Sequence, residues 1–90
     1  MGQRALEFSS LATRAESEQK FEHWIDQQDG TRTYWHEVRG KGGWRARYIK
    51  LVDAREQTLS FRQEVYNEKG ELVEIHEKYP IDKGHQKLRK

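Results

Sequence analysis

Apolar and polar positions are most regularly spaced after Gly30. The run Thr31-Arg32-Thr33-Tyr34-Trp35-His36-Glu37-Val38 is dense in β-branched and aromatic residues, and Gly40-Lys41-Gly42-Gly43 separates it from a second such run, Trp44 to Val52. Together they predict a hairpin. A polar break at 53–57 leads to a third strand, Thr58 to Tyr66. Asn67-Glu68-Lys69-Gly70 then fits a type I turn with Gly70 as the left-handed bulge residue, and Leu72 to Tyr79 is the last strand. Pro80 has no N–H to donate and ends the ladder. Upstream, Thr13-Arg14-Ala15-Glu16 fits a capping box and predicts a short helix over 11–20. Phe21, Trp24 and Ile25 carry helical spacing, while Phe21, His23 and Ile25 alternate. We read 21–26 as strand, with helix as the alternative. The predicted fold class is α+β: an antiparallel β-meander of four to five strands with one short N-terminal helix packed on one face. It forms a single domain over 1–90, with 1–12 and 82–90 as flexible tails.

Side chains alternate faces along a strand, so turns that fix the pairing also decide which residues share a face. The Gly70 turn pairs Asn67 with Glu71, and continuing that register places Val65 opposite Val73 and Phe61 opposite Glu77. Setting Leu51 opposite Leu59 and Trp35 opposite Ile49 extends one apolar face and brings Glu37 opposite Arg47, a favourable cross-strand charge pair. The expected core face is Trp35, Ile49, Leu51, Leu59, Phe61, Val65, Val73, Ile75 and Tyr79, with the N-terminal segment packed on it. The opposite face then carries a row His36, Tyr48, Arg62, His76, flanked by Val38, Ala46, Glu64 and Glu74 on one side and by Tyr34, Lys50, Ser60 and Lys78 on the other. Glu22 joins the row beside His36 if 21–26 is a strand, and Trp44, Tyr66 and Leu72 close one end.

Composition narrows this picture. The 90 residues are 33% hydrophobic and 36% charged, yet include three Trp, four Tyr and three Phe, the large residues that disordered chains lack. With no cysteine there is no disulfide, thiolate nucleophile or Cys-based zinc site. His36-Glu37 and His76-Glu77 lack a second histidine four positions on, and no calcium loop is present, so neither metal nor cofactor is expected. Nor does any stretch approach the ~18 apolar residues of a membrane span. A cytoplasmic protein without membrane attachment is the expectation. The net charge of +2 is unevenly spread: residues 1–30 carry −3, 31–50 carry +5, 51–82 carry −4 and 83–90 carry +4. Two basic segments in an otherwise acidic chain suggest a polyanion-facing side if they meet in space.

The polar row supplies candidate chemistry. Histidine and carboxylate can exchange protons with the 2′-OH and 5′-oxygen of RNA, and arginine can stabilise a phosphorane. His36, Arg62, Glu64 and His76 are therefore the candidate catalytic residues, with Tyr48, Lys50, Lys78 and Trp44 as candidate binding residues. In residue types only, the set resembles the Glu, Arg and His groups on the antiparallel sheets of small microbial ribonucleases and of mRNA-cleaving toxins, with no shared sequence motif. That resemblance implies metal-independent RNA cleavage. The plainer reading of the same checkerboard is a solvated or partner-covered face with cross-strand charge pairing, and it takes precedence. The expected function is a small binding module for a protein or RNA partner, acting through the polar face or an exposed strand edge, with a homodimer through such an edge. RNA cleavage is the alternative.

Overall fold

The computed structural model describes residues 13–88. Helix α1 (Arg14–Phe21) leads into strands β1 (His23–Asp26), β2 (Arg32–Arg39), β3 (Arg45–Val52), β4 (Thr58–Tyr66), β5 (Leu72–Tyr79) and β6 (His85–Lys87). The strands form one antiparallel sheet in chain order. The protein is thus an α+β fold, a helix packed on an antiparallel meander. The predicted start at Leu11 and the first tail lie outside the described residues. Thr13 caps α1 as expected: its hydroxyl accepts from Glu16 N–H (3.1 Å), and the Glu16 carboxylate accepts from Thr13 N–H (2.9 Å). Glu22, at φ 71°, donates its N–H to Glu18 O and closes the helix. So 21–26 divides. Phe21 ends the helix, Glu22 is its cap rather than a strand residue beside His36, and only 23–26 is strand.

Three turns share one form. Gln27 N–H donates to Thr31 O, Asp53 to Gln57 and Asn67 to Glu71, each around a residue of positive φ: Gly30, Glu56 and Gly70. The pairing expected across the Gly70 turn is therefore present, as is the Trp35–Ile49 and Glu37–Arg47 register of β2 with β3. What fails is the extension of the register beyond the next residue. Val52 pairs with Thr58 but Leu51 with Ser60, which leaves Leu59 as an extra residue; Tyr66 pairs with Leu72 but Val65 with Glu74, which leaves out Val73. Each bulge moves the strand by one residue, and the period of two exchanges its faces. A further bulge at Lys78 brings Tyr79 opposite Phe61.

The core accordingly differs from the expected one. Tyr34, Tyr48, Lys50, Val52 and Phe61 share the face that α1 covers, and Phe21, Tyr34 and Val52 form the buried cluster, with Tyr48 and Phe61 against it. Trp35, Ile49, Leu51 and Ile75 occupy the opposite face, while Leu59 is exposed. Phe21 decides the side: its ring lies 5.7 Å from Tyr34, 5.5 Å from His36 and 6.3 Å from Phe61. These large rings supply more burial than the aliphatic residues behind them. Charge locks the docking. Arg32, 6% exposed, forms a two-pronged pair with Asp26 and also bonds Glu18 on α1 (2.6 Å). Lys50 donates to Ser17 (3.0 Å), and Tyr34 donates its hydroxyl to Glu56, which Arg14 also meets.

Burial, and then its hydrogen bond to the Glu56 carboxylate, push the Tyr34 phenol up to about 12 from 10.0. The neutral phenol is favoured in the folded state, so this contribution is complete below pH 10 and is lost as pH rises through 12. Lys50 acts in the opposite sense, because burial lowers its ammonium and relieves the fold as pH approaches 10.5. Subtracting Tyr34→Phe from wild type isolates the tyrosine. The difference in urea midpoint between the two proteins is expected to shrink from pH 9 to pH 12; a constant difference would show that Tyr34 ionises unhindered.

Past Pro80 the chain does not run free as a tail. Asp82 accepts from Gly84 N–H (2.9 Å), Lys83 N–H donates to Glu77 O, and the chain turns back to pair His85 with His76 and Lys87 with Glu74. This sixth strand exceeds the four to five expected. Its three residues hold by backbone pairing and polar side chains, without any apolar alternation to signal them. The last two residues of that tail, 89–90, lie outside the described residues.

Candidate functional site

The candidate catalytic residues fall on two faces. His36 and His76 lie on the helix-bearing face, across from Tyr48 and Gln63 respectively, whereas Arg62 and Glu64 point to the other side. There Arg62 Nε donates to Glu64 (2.8 Å), which also accepts from the Tyr66 hydroxyl (2.7 Å). Burial raises the Glu64 pKa, but these hydrogen bonds outweigh it and hold the carboxyl below its usual range. Glu64 is thereby a bound anion satisfied by its neighbours. His36 is enclosed edge-on by Phe21 and stacked on Tyr48 at 5.2 Å. On its other side Tyr48 stacks on Phe61 at 6.4 Å, with the Lys78 ammonium 5.3 Å from its ring centre. Tyr48 is thus packed among two rings and a cation and is half-buried. Lys50 is buried under α1. Lys78 caps the aromatic row.

His76 keeps polar company that the sequence did not reveal. Its Nε2 lies 2.7 Å from Asp82, its ring lies 4.3 Å from His85, and His85 in turn meets Glu74. The Gly84 N–H, then His76, hold the Asp82 carboxyl below its usual range. These contacts fasten β6 to β5. Among the described residues no group of three or more His, Asp or Glu is placed to hold a metal ion, and no helix is long and apolar enough to cross a membrane.

Trp44 belongs to a different cluster. The β2–β3 connection is a single 3₁₀ turn, Lys41–Gly43, closed by Gly40 N–H to Trp44 O (2.7 Å) and Trp44 N–H to Lys41 O (3.1 Å). Around it stand Arg39, Lys41, Arg45 and Arg47. Among the described residues Glu37 accepts from both Arg45 (3.2 Å) and Arg47 (3.1 Å), and Glu64 stands opposite Arg47 in the β3–β4 register, where the charge of Arg47 helps to lower the Glu64 pKa. The two guanidinium carbons each sit 5.5 Å from the Tyr66 ring centre. Arg47 Nε is buried without a hydrogen-bond partner, and Arg39 and Lys41 have no ion pair among the described residues. Trp44 is 42% exposed and makes no ring contact among those residues. Its neighbours Arg39, Gly40, Gly43 and Arg45 line a cavity with it of about 330 Å³. The sequence signalled this cluster only through the charge of its segment. The second basic segment does not join it: β4 and β5 stand between β3 and β6, roughly 14 Å at ordinary strand spacing.

Comparison with known protein families, with curated proteins and with solved structures found no match for the chain. The functional reading therefore rests on this geometry.

Proposed function

We propose that the domain is a binding module for single-stranded nucleic acid, held by the basic β2–β3 hairpin. The observation that carries this reading is the group of four cations on one hairpin, of which Arg45 and Arg47 share the Glu37 carboxylate while Arg39 and Lys41 have no ion pair among the described residues, beside an exposed tryptophan. Guanidinium groups donate to phosphate in paired fashion, and an unoccupied indole face stacks on a base. Binding is preferred to RNA cleavage because Arg62 and Glu64 face away from both His36 and His76. The hairpin is also preferred to a strand edge. The two edges, β1 and β6, are four and three residues long, the short form that limits pairing with other chains. A homodimer through an edge would appear directly in light scattering.

Four phosphate contacts give a salt slope of about −2.8, so affinity for a ten-nucleotide RNA should fall about 50-fold between 50 and 200 mM salt. Arg39→Gln with Lys41→Gln alters two unpaired surface side chains and should halve that slope while leaving the fold intact. An affinity indifferent to salt, or no binding at 50 mM, would refute the reading.

A further inference from the structure

We propose that the cavity beside Trp44 is a pocket for one nucleobase of the bound strand, with the indole as its stacking wall and Arg39 and Arg45 placed for the adjoining phosphates. This rests on the nucleic-acid reading above and deepens it by giving the stacked base a defined site, which charge alone does not require.

Three observations converge on the pocket. The first is size. At about 330 Å³ and broadly open to solvent, it is a surface hollow with room for a single planar group. The second is its wall. Tyr48 stacks on His36 and Phe61 and Tyr66 sits under two guanidinium groups, whereas Trp44 is exposed, makes no ring contact among the described residues and borders the cavity. The third is Gly40. Gly42 and Gly43 have φ of 64° and 85°, a conformation that other residues rarely adopt, and a Cβ on Gly43 would stand 3.1 Å from the Cβ of Glu68. The turn itself therefore requires them to be glycine. Gly40 is different: at φ −109°, ψ −163° it is extended, and an added Cβ would meet Trp44 at ordinary contact distances of 3.5 and 3.8 Å. Neither backbone nor packing demands glycine there. Gly40 lines the cavity, and its absent side chain leaves that space open next to the Trp44 backbone and Cβ.

The alternatives make distinct demands. A free phosphate or an acidic peptide would use the cations and gain nothing from an open indole bordered by bare backbone. A nucleotide within a strand uses both at once, because a base and its phosphate are joined through one sugar.

The test compares a ten-nucleotide RNA with an abasic ribose-phosphate chain of the same length, by fluorescence anisotropy at 50 mM salt. Wild type should bind the base-bearing chain about ten-fold more tightly, the effect of stacking one base. Trp44→Leu and Gly40→Leu should each bring that ratio close to one while leaving affinity for the abasic chain unchanged; circular dichroism checks that both variants fold. Gly40→Leu keeps the tryptophan and every cation, so its effect reports only filling of the pocket. Equal binding of the two chains by wild type would overturn the pocket and leave the phosphate reading standing. Binding of neither would overturn both. A mononucleotide that competes as well as the oligonucleotide would reassign the pocket to free nucleotides, and an acidic peptide that displaces RNA at lower concentration would reassign the surface to a protein.

Discussion

Phe21→Ala is expected to lower the unfolding free energy by about 3–5 kcal/mol, the usual cost of removing a buried phenyl ring. In a domain of this size the whole stability is on the order of 5–10 kcal/mol, so the variant should sit near the edge of folding. The severity comes from what Phe21 joins. An eight-residue helix does not persist alone in water, and the Phe21 ring is its apolar attachment, held against Tyr34, His36 and Phe61 on β2 and β4. Ser17 is the other buried residue of α1, and its bond to Lys50 depends on the helix remaining docked. Urea unfolding with an unchanged slope and a lowered midpoint would measure the loss. A loss below about 1 kcal/mol would show that the helix is held mainly by its ion pairs.

The ion pairs should respond asymmetrically, and this is the second large effect. In the Arg32 network the cation is the buried member: its side chain is 7% exposed, against 62% for Asp26 and 33% for Glu18. Removing both carboxylates, by Asp26→Ala with Glu18→Ala, strands a guanidinium between the Trp24 and Tyr34 rings, at 5.3 and 5.5 Å. A buried charge without its partners costs about 3–5 kcal/mol. Replacing the cation by Arg32→Met leaves instead two carboxylates that water can reach, and an apolar stem that still packs under the rings. That variant should lose about 1 kcal/mol. Thermal unfolding of the three proteins would decide the order. If Arg32→Met were the more damaging change, the network would owe its strength to guanidinium packing and hydrogen bonding rather than to the burial of charge.

Several elements were legible in the chain because their signals are local. The Thr13–Glu16 capping box needs four consecutive residues and no partner, and it is present as expected, although the helix it starts begins at Arg14 rather than at Leu11. The turns before Thr31, Gln57 and Glu71 are set by short-range hydrogen bonds and one left-handed residue each, so the residues flanking them pair as anticipated. The candidate site was less legible. Its grouping of His36 and His76 with Arg62 and Glu64 required an unbroken period of two through β4 and β5, and the bulges at Leu59 and Val73 interrupt that period. The hairpin cations were visible as an excess of charge, but only the fold shows that Arg45 and Arg47 share Glu37 and that Arg39 and Arg45 line a cavity with Trp44.

The sequence by itself thus determined the strands β2 to β5, the helix cap and the pairing next to each turn, since these follow from propensity and from contacts a few residues apart. Tertiary structure alone decided which face of the sheet is the core. Apolar residues occur on both faces, so the alternation was nearly degenerate, and a bulge of one residue leaves no mark in a pattern whose period is two. The choice fell to Phe21, whose ring meets Tyr34 and Phe61 only when the helix lies over their face. That placement buried Lys50, turned Arg62 and Glu64 to the far side, and left the arginine-rich hairpin with its open tryptophan as the exposed basic surface.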